Sequence, residues 1–290
     1  MPLRSILLLL LAAIAAPGAL AQPVTYATDA TDAAAGPARP LVIGDTFTLD
    51  SKVLGEVRRI NVYRAPAYGA AADVPLPVLY MPDGGIGEDF LHLAGLLQIS
   101  VLNGTMRPFM LVGIENTERR RDLTGPTDDP EDRRIAPRVG GSAAFRNFLR
   151  DELMPAIRKR YPTTGETAIV GESLAGLFVV ETLLLEPALF DSYVAIDPSL
   201  WWNRHGLLDG IDERLARHDD LGKHVFLASS DEPVMGPAVE RLTQALQRTA
   251  APGLRVLYQP MPGEGHGTIY HPAALRGFRL LFAPPPAPQP

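Results

Sequence analysis

An α/β fold, with one mostly parallel twisted sheet, antiparallel strands at its N-terminal side and helices on both faces, follows from three features of the chain. Two segments, Thr46 to Leu49 and Arg58 to Tyr63, alternate apolar and polar residues as half-exposed antiparallel strands do. Six continuous apolar runs follow, at 78–81, 110–114, 168–170, 193–196, 224–228 and 254–258, and they suit buried parallel strands. Helical stretches separate them, at 89–102, 142–161, 174–185, 237–248 and 272–281. Such alternation predicts a single sheet covered on both faces. The right-handed crossover rule gathers the carboxyl ends of the parallel strands on one edge, where sites of open α/β sheets form.

The 290 residues are 46% hydrophobic and 21% charged, an ordinary globular composition. The net charge of −6 gives no reason to expect nucleic acid or an anionic membrane as partner. With no cysteine, thiol catalysis, thiolate metal sites and disulfides are excluded. Residues 1–21 read as a secretory signal peptide: Arg4 supplies a positive charge, Ser5 to Ala16 is a short apolar run, and Ala19-Leu20-Ala21 offers small residues for cleavage before Gln22. An uncleaved N-terminal anchor is the competing reading. No later segment is long and apolar enough to span a bilayer, so no membrane contact is expected after cleavage. Residues 22–40 read as a flexible lead-in, 41–282 as the catalytic domain, and the Pro- and Ala-rich 283–290 as a disordered tail.

The most informative run is Thr167 to Leu174. An apolar strand ends in Gly171-Glu172-Ser173 and a helix-forming stretch begins at once. A serine at so sharp a strand-to-helix turn is held exposed with a helix N-terminus behind it, the arrangement of a nucleophile elbow. Crowding in such a turn demands small residues two places either side, and Gly171 and Ala175 comply. The alternative is a serine that merely caps the helix.

A nucleophilic serine needs a base, a group that orients the base, and oxyanion donors. His266 lies in a Gly-rich loop, 262–268, after the last strand and before the last helix, where a base is expected. His92, His205, His218, His224 and His271 read as surface or packing residues; a His266/His271 metal pair lacks a third ligand. For the orienting acid, Asp231 and Glu232 follow the strand at 224–228, and Asp197 follows the strand before it. Asp231 is preferred by a small margin. The oxyanion donors are expected from the backbone N–H of Leu174 and from the Gly84-Gly85 loop after an earlier strand. That loop lacks the spacing of phosphate or dinucleotide fingerprints, and no cofactor is required. Trp201 and Trp202 either line an apolar subsite or pack a cap. Arg120, in the charged loop from Glu118 to Arg138, either meets an anionic or catecholate-like substrate or lies on a solvated face.

With these residues in place, the chain resembles the putative-esterase (esterase D-like) branch of the α/β hydrolases, nearest to the enterobactin and siderophore esterase group. The resemblance covers roughly residues 45 to 282. It is carried by Phe47-Thr48-Leu49-Asp50-Ser51, by Pro77 to Gly84, by Val112 to Thr117 with Arg120 to Leu123, by Gly171 to Gly176, by Pro198 to Trp202, and by Glu264 to Gly267. Asp197 stands where the family pattern leads one to expect Ser. The resemblance implies an α/β-hydrolase fold and cleavage of ester or thioester bonds through an acyl-enzyme, with Ser173 and His266 in the catalytic roles. The reading is an exported, periplasmic or secreted, serine carboxylesterase acting on a small-molecule ester, siderophore-type lactones included. Acyl transfer on the same fold, or a non-catalytic binding protein that keeps the pocket, are the alternatives.

Overall fold

In a computed structural model, residues 37–65, 73–218, 221–249 and 252–285 are described. The signal-peptide reading of 1–21, most of the lead-in and residues 286–290 of the tail lie outside them. From Ile43 onward the chain forms one compact unit. Its strands are β1 (Asp45–Ser51), β2 (Glu56–Arg64), β3 (Leu76–Pro82), β4 (Met110–Ile114), β5 (Thr163–Glu172), β6 (Ser192–Ile196), β7 (His224–Ser229) and β8 (Arg255–Pro260). They make one sheet in the order β1-β2-β4-β3-β5-β6-β7-β8. The β1–β2 and β2–β4 pairs are antiparallel and all others are parallel.

The helices are α1 (Phe90–Leu102), α2 (Arg119–Leu123), α3 (Pro130–Ile135), α4 (Ser142–Phe148), α5 (Met154–Arg160), α6 (Leu174–Leu185), α7 (Trp202–His205), α8 (Ile211–Leu215), α9 (Gly236–Arg248) and α10 (Tyr270–Leu281). Alternate residues of each strand feed two separate cores, because successive side chains leave opposite faces. Val78, Tyr80 and Val112 pack with Phe145, Phe178 and Leu242 on one side. Leu79, Met81 and Leu111 pack with Leu93, Leu97 and Phe278 on the other.

Three expectations are corrected. β2 is an inner strand, paired on both sides, and Arg58, Ile60, Asn61 and Val62 are all buried rather than half exposed. Its polar residues are neutralised by partners, so alternation there does not report exposure. β8 is an edge strand and only partly buried. The single helix expected over 142–161 is α4 and α5 joined by a π-helical turn, Leu149–Leu153. Pro155 has no N–H for the regular ladder, and the wider turn accommodates the missing bond.

Candidate active site

Three residues that directly follow adjacent parallel strands have left-handed backbones: Asp83 after β3 (φ 57°), Ser173 after β5 (φ 60°) and Asp197 after β6 (φ 44°). Non-glycine residues reach this region only under constraint, at a cost of about 1–3 kcal/mol each. Half of the six positive-φ non-glycine residues among the described residues thus directly follow strands on the edge where the topology places a site; the other three, Asn203, Arg204 and His205, form a run in α7.

The constraint on Ser173 is visible in its surroundings. Its N–H donates to Ile196 O (3.1 Å), and its carbonyl accepts from Ser199 N (3.0 Å) and Leu177 N (2.9 Å). A Cβ on Gly171 would lie 2.5 Å from the Ala175 backbone, so the turn closes only with glycine there. Although Ser173 occupies the N-cap position of α6, its side chain makes no capping hydrogen bond. Its Oγ faces His266 Nε2 at 3.0 Å and Ser199 Oγ at 3.4 Å. A capping serine would turn its oxygen to the helix N–H groups; this one turns away.

His266 Nδ1 lies 2.6 Å from Asp197 Oδ2. The Asp197 side chain is fully buried and also accepts from the N–H (2.9 Å) and hydroxyl (2.8 Å) of Ser230. Burial alone would raise its pKa, but the bonds from His266 and Ser230 outweigh that and hold it below the usual carboxylate value. An ionised carboxylate on Nδ1 fixes the proton there, which leaves the Nε2 lone pair to accept from the serine hydroxyl. The bond to Asp197 raises the imidazole pKa; burial opposes the rise, and Glu172 and Glu232 add to it.

The preference for Asp231, with Glu232 second, is corrected by this geometry. Both side chains are exposed and neither bonds to the imidazole. β6 neighbours β5, whereas β7 stands one strand further from Ser173. The loop after β7 instead supports the site: Ser230 holds Asp197, and the Asp231 N–H donates to Glu264 O (3.1 Å), anchoring the histidine loop. His271 pairs with His92 (3.0 Å), so it forms no site with His266.

The oxyanion expectation divides. The Leu174 N–H opens α6 and has no acceptor among the described residues. Gly84 and Gly85 are both engaged. The Gly84 N–H donates to Ile114 O (2.9 Å), and the Gly85 N–H donates to Glu88 Oε2 (2.7 Å). Glycine is required at 84, because a Cβ there would meet the Gly113 backbone at 2.3 Å.

Trp202 is buried, donates from Nε1 to Gly125 O (2.9 Å) and belongs to the core, which favours the cap-packing reading; Trp201 is partly buried beside it. Arg120 is turned aside, donating to Ile135 O (2.5 Å). Its neighbour Arg119 faces the site instead, with Nε and Nη2 on the two oxygens of Asp83 at 2.7 and 2.8 Å.

Sequence reasoning also passed over Glu172, whose Oε1 lies 3.4 Å from His266 Nε2. Burial is the main cause that pushes its pKa up to about 7; His266 and Arg119 pull the other way. Its place inside the elbow motif was the available signal. The assembled groups can deprotonate a hydroxyl, attack a carbonyl and donate one backbone N–H to the resulting oxyanion.

Sheet order, elbow and imidazole together define a serine hydrolase of the α/β-hydrolase fold. The chain belongs to the "Putative esterase" family, which it matches over residues 51–244, and it hydrolyses ester bonds. It is 30% identical over 197 residues to the ferri-bacillibactin esterase BesA of Bacillus subtilis, an alignment covering 61% of this chain and 68% of that protein. It is 33% identical over 147 residues to a siderophore triacetylfusarinine C esterase of Aspergillus fumigatus, covering 44% of this chain and 46% of the relative. Among solved structures it is similar to an IroE-like serine hydrolase from Shewanella oneidensis, with a TM-score of 0.72, 29% identity, and 82% and 80% of the two chains covered.

Proposed function

We propose that the protein is an exported esterase that cleaves siderophore-type lactones or related esters through an acyl-enzyme on Ser173. The observation that carries the mechanism is the continuous chain from Ser173 Oγ to His266 Nε2 (3.0 Å) and from His266 Nδ1 to Asp197 (2.6 Å). Ser173 Oγ attacks the ester carbonyl carbon while its proton passes to Nε2. Asp197 stabilises the imidazolium through Nδ1–H, and the Leu174 N–H stabilises the oxyanion. As the tetrahedral intermediate collapses, the ester C–O bond breaks and Nε2 returns the proton to the leaving alcohol oxygen. Water then repeats the sequence: it gives a proton to Nε2, its oxygen bonds the acyl carbon, and Ser173 Oγ leaves with that proton.

The lactone substrate is proposed from the relatives, whose names refer to siderophore esters. Export rests on the character of residues 1–21. The test is turnover of a short-chain nitrophenyl ester and a panel of siderophore lactones by the purified protein. Ser173→Ala or His266→Ala should lower kcat by about 10⁴-fold or more. A fluorophosphonate probe should label the wild type and spare Ser173→Ala. Unchanged turnover in either variant overturns the mechanism, and activity confined to simple acyl esters overturns the lactone assignment.

A further inference from the structure

Glu172 is the last residue of β5, and the backbone that holds Ser173 holds it too. Its side chain is only 16% exposed, yet His266 Nε2, 3.4 Å away, is its single hydrogen-bond or ion-pair partner among the described residues. Arg119, the cation whose charge also acts on Glu172, is already engaged by both oxygens of Asp83. Three further acidic groups face this carboxyl: Asp83 after β3, Asp197 after β6 and Tyr270 opening α10. Glu232 faces the imidazole from the loop after β7. A shielded carboxyl amid acids, without a dedicated cation, is an unfavourable arrangement for the fold alone.

Nε2 therefore looks onto two oxygens, Ser173 Oγ at 3.0 Å and Glu172 Oε1 at 3.4 Å. We propose that Glu172 is a positioning residue for the base: a second carboxylate that takes the Nε2–H of the protonated imidazole whenever Ser173 Oγ cannot accept it. This rests on the serine-hydrolase reading above. In each tetrahedral intermediate Oγ is bonded to the acyl carbon, and until the imidazolium passes on its proton it would otherwise be held only by Asp197 at Nδ1. With Glu172 in place it is gripped from both ends.

The pair exchanges one proton with no net chemistry. One form is the carboxylate with the imidazolium; the other is the carboxyl with the neutral imidazole, O–H donating to Nε2. In both forms the Nε2 lone pair is denied to the serine hydroxyl. Only the doubly deprotonated pair is competent for attack, so the acid side of the activity profile belongs to the pair and not to His266 alone. Burial pushes Glu172 up to about 7, which brings this exchange into the neutral range. An ionised Glu172 in turn raises the imidazole.

The test is the pH dependence of kcat/KM for Glu172→Gln beside wild type, in the full chain. Removing the negative charge lowers the imidazole pKa, so the acid limb should move toward lower pH by about one unit. The plateau at high pH should fall about tenfold, because the imidazolium of the transition state loses a partner. A merely structural role would lower the plateau and leave the limb in place. A limb at the wild-type pH overturns the proposal.

If Glu172→Gln does not fold, NMR titration of His266 in the wild-type protein decides. A transition spread over two coupled steps supports the pair, and a single one-proton curve overturns it. The titration needs no turnover. Failure of the Glu172 role is thus separable from failure of the hydrolase reading, which is judged by Ser173→Ala.

Discussion

Two buried acids, Asp197 and Asp122, have almost the same exposure, 0% and 1%, and each meets a basic side chain. They serve different ends. Asp122 accepts from Arg58 Nη1 (2.5 Å) and Arg121 Nε (2.6 Å). Arg58 is itself fully buried and reaches Glu56, Thr117 and the Glu115 carbonyl as well. That network joins β2 to α2 and the loop before it, on residues with ordinary backbone angles, and leaves Arg58 Nε without a partner among the described residues. The Asp197 chain instead ends on a serine oxygen that is only partly buried, and strained residues hold both of its ends. Burial and ion pairing do not separate a site from a strut. A strained backbone and an open terminal atom do.

The largest effect that could break this comparison is at Asp197. Asp197→Asn keeps the shape but disturbs the imidazole tautomer, and kcat should fall by about 10³-fold or more with little change in Tm. Asp231→Asn and Glu232→Gln, made in exposed carboxylates, should change kcat by less than roughly threefold. A larger loss at Asp231 than at Asp197 would reverse the assignment. The opposite pattern is expected at the strut. Arg58→Met leaves Asp122 and Glu56 with Arg121 as their one remaining cation, and denaturant unfolding should show a loss of about 3 kcal/mol with activity per folded molecule retained.

Acid should reach the site in the neutral range and the strut only well below it. The bond from Arg121 leads the causes that hold the Glu56 pKa down at about 2, below its usual 4.5, with burial opposing. Its contribution is therefore present above pH 4.5 and lost as pH falls from 4.5 toward 2. By linkage that amounts to at most about 3 kcal/mol, reduced by the partial exposure of the group. Glu56→Gln should flatten the acid limb of the stability curve and leave stability above pH 5 dependent on the remaining groups. The smallest effect is expected at Trp202→Phe, which removes the bond to Gly125 O: about 1 kcal/mol of stability, with KM for simple esters unchanged if the indole packs the cap and raised if it lines the pocket.

All eight strands were legible from apolar periodicity, as was the elbow, because a Gly-x-Ser turn between a strand and a helix has a local signature. His266 was legible from its place after the last strand. The acid was not, since the loops after β6 and β7 both carry carboxylates and only strand order decides which reaches Nδ1. Asp197, standing between a buried run and Pro198, was weighed as third choice. Arg120 was named and Arg119 was not, because periodicity says nothing of orientation in α2, a helix of five residues. The Gly84-Gly85 expectation read glycine as a sign of ligand approach. At Gly84 the glycine serves the approach of another strand's backbone.

That last contact bears on redesign. Gly84 and Gly113 meet reciprocally, since a Cβ on Gly113 would also lie 2.6 Å from Gly84 O. The ends of β3 and β4 are thus zipped without room for any side chain. A library aimed at new substrates should keep both positions invariant and diversify at Ile86 and Gly87, which are exposed.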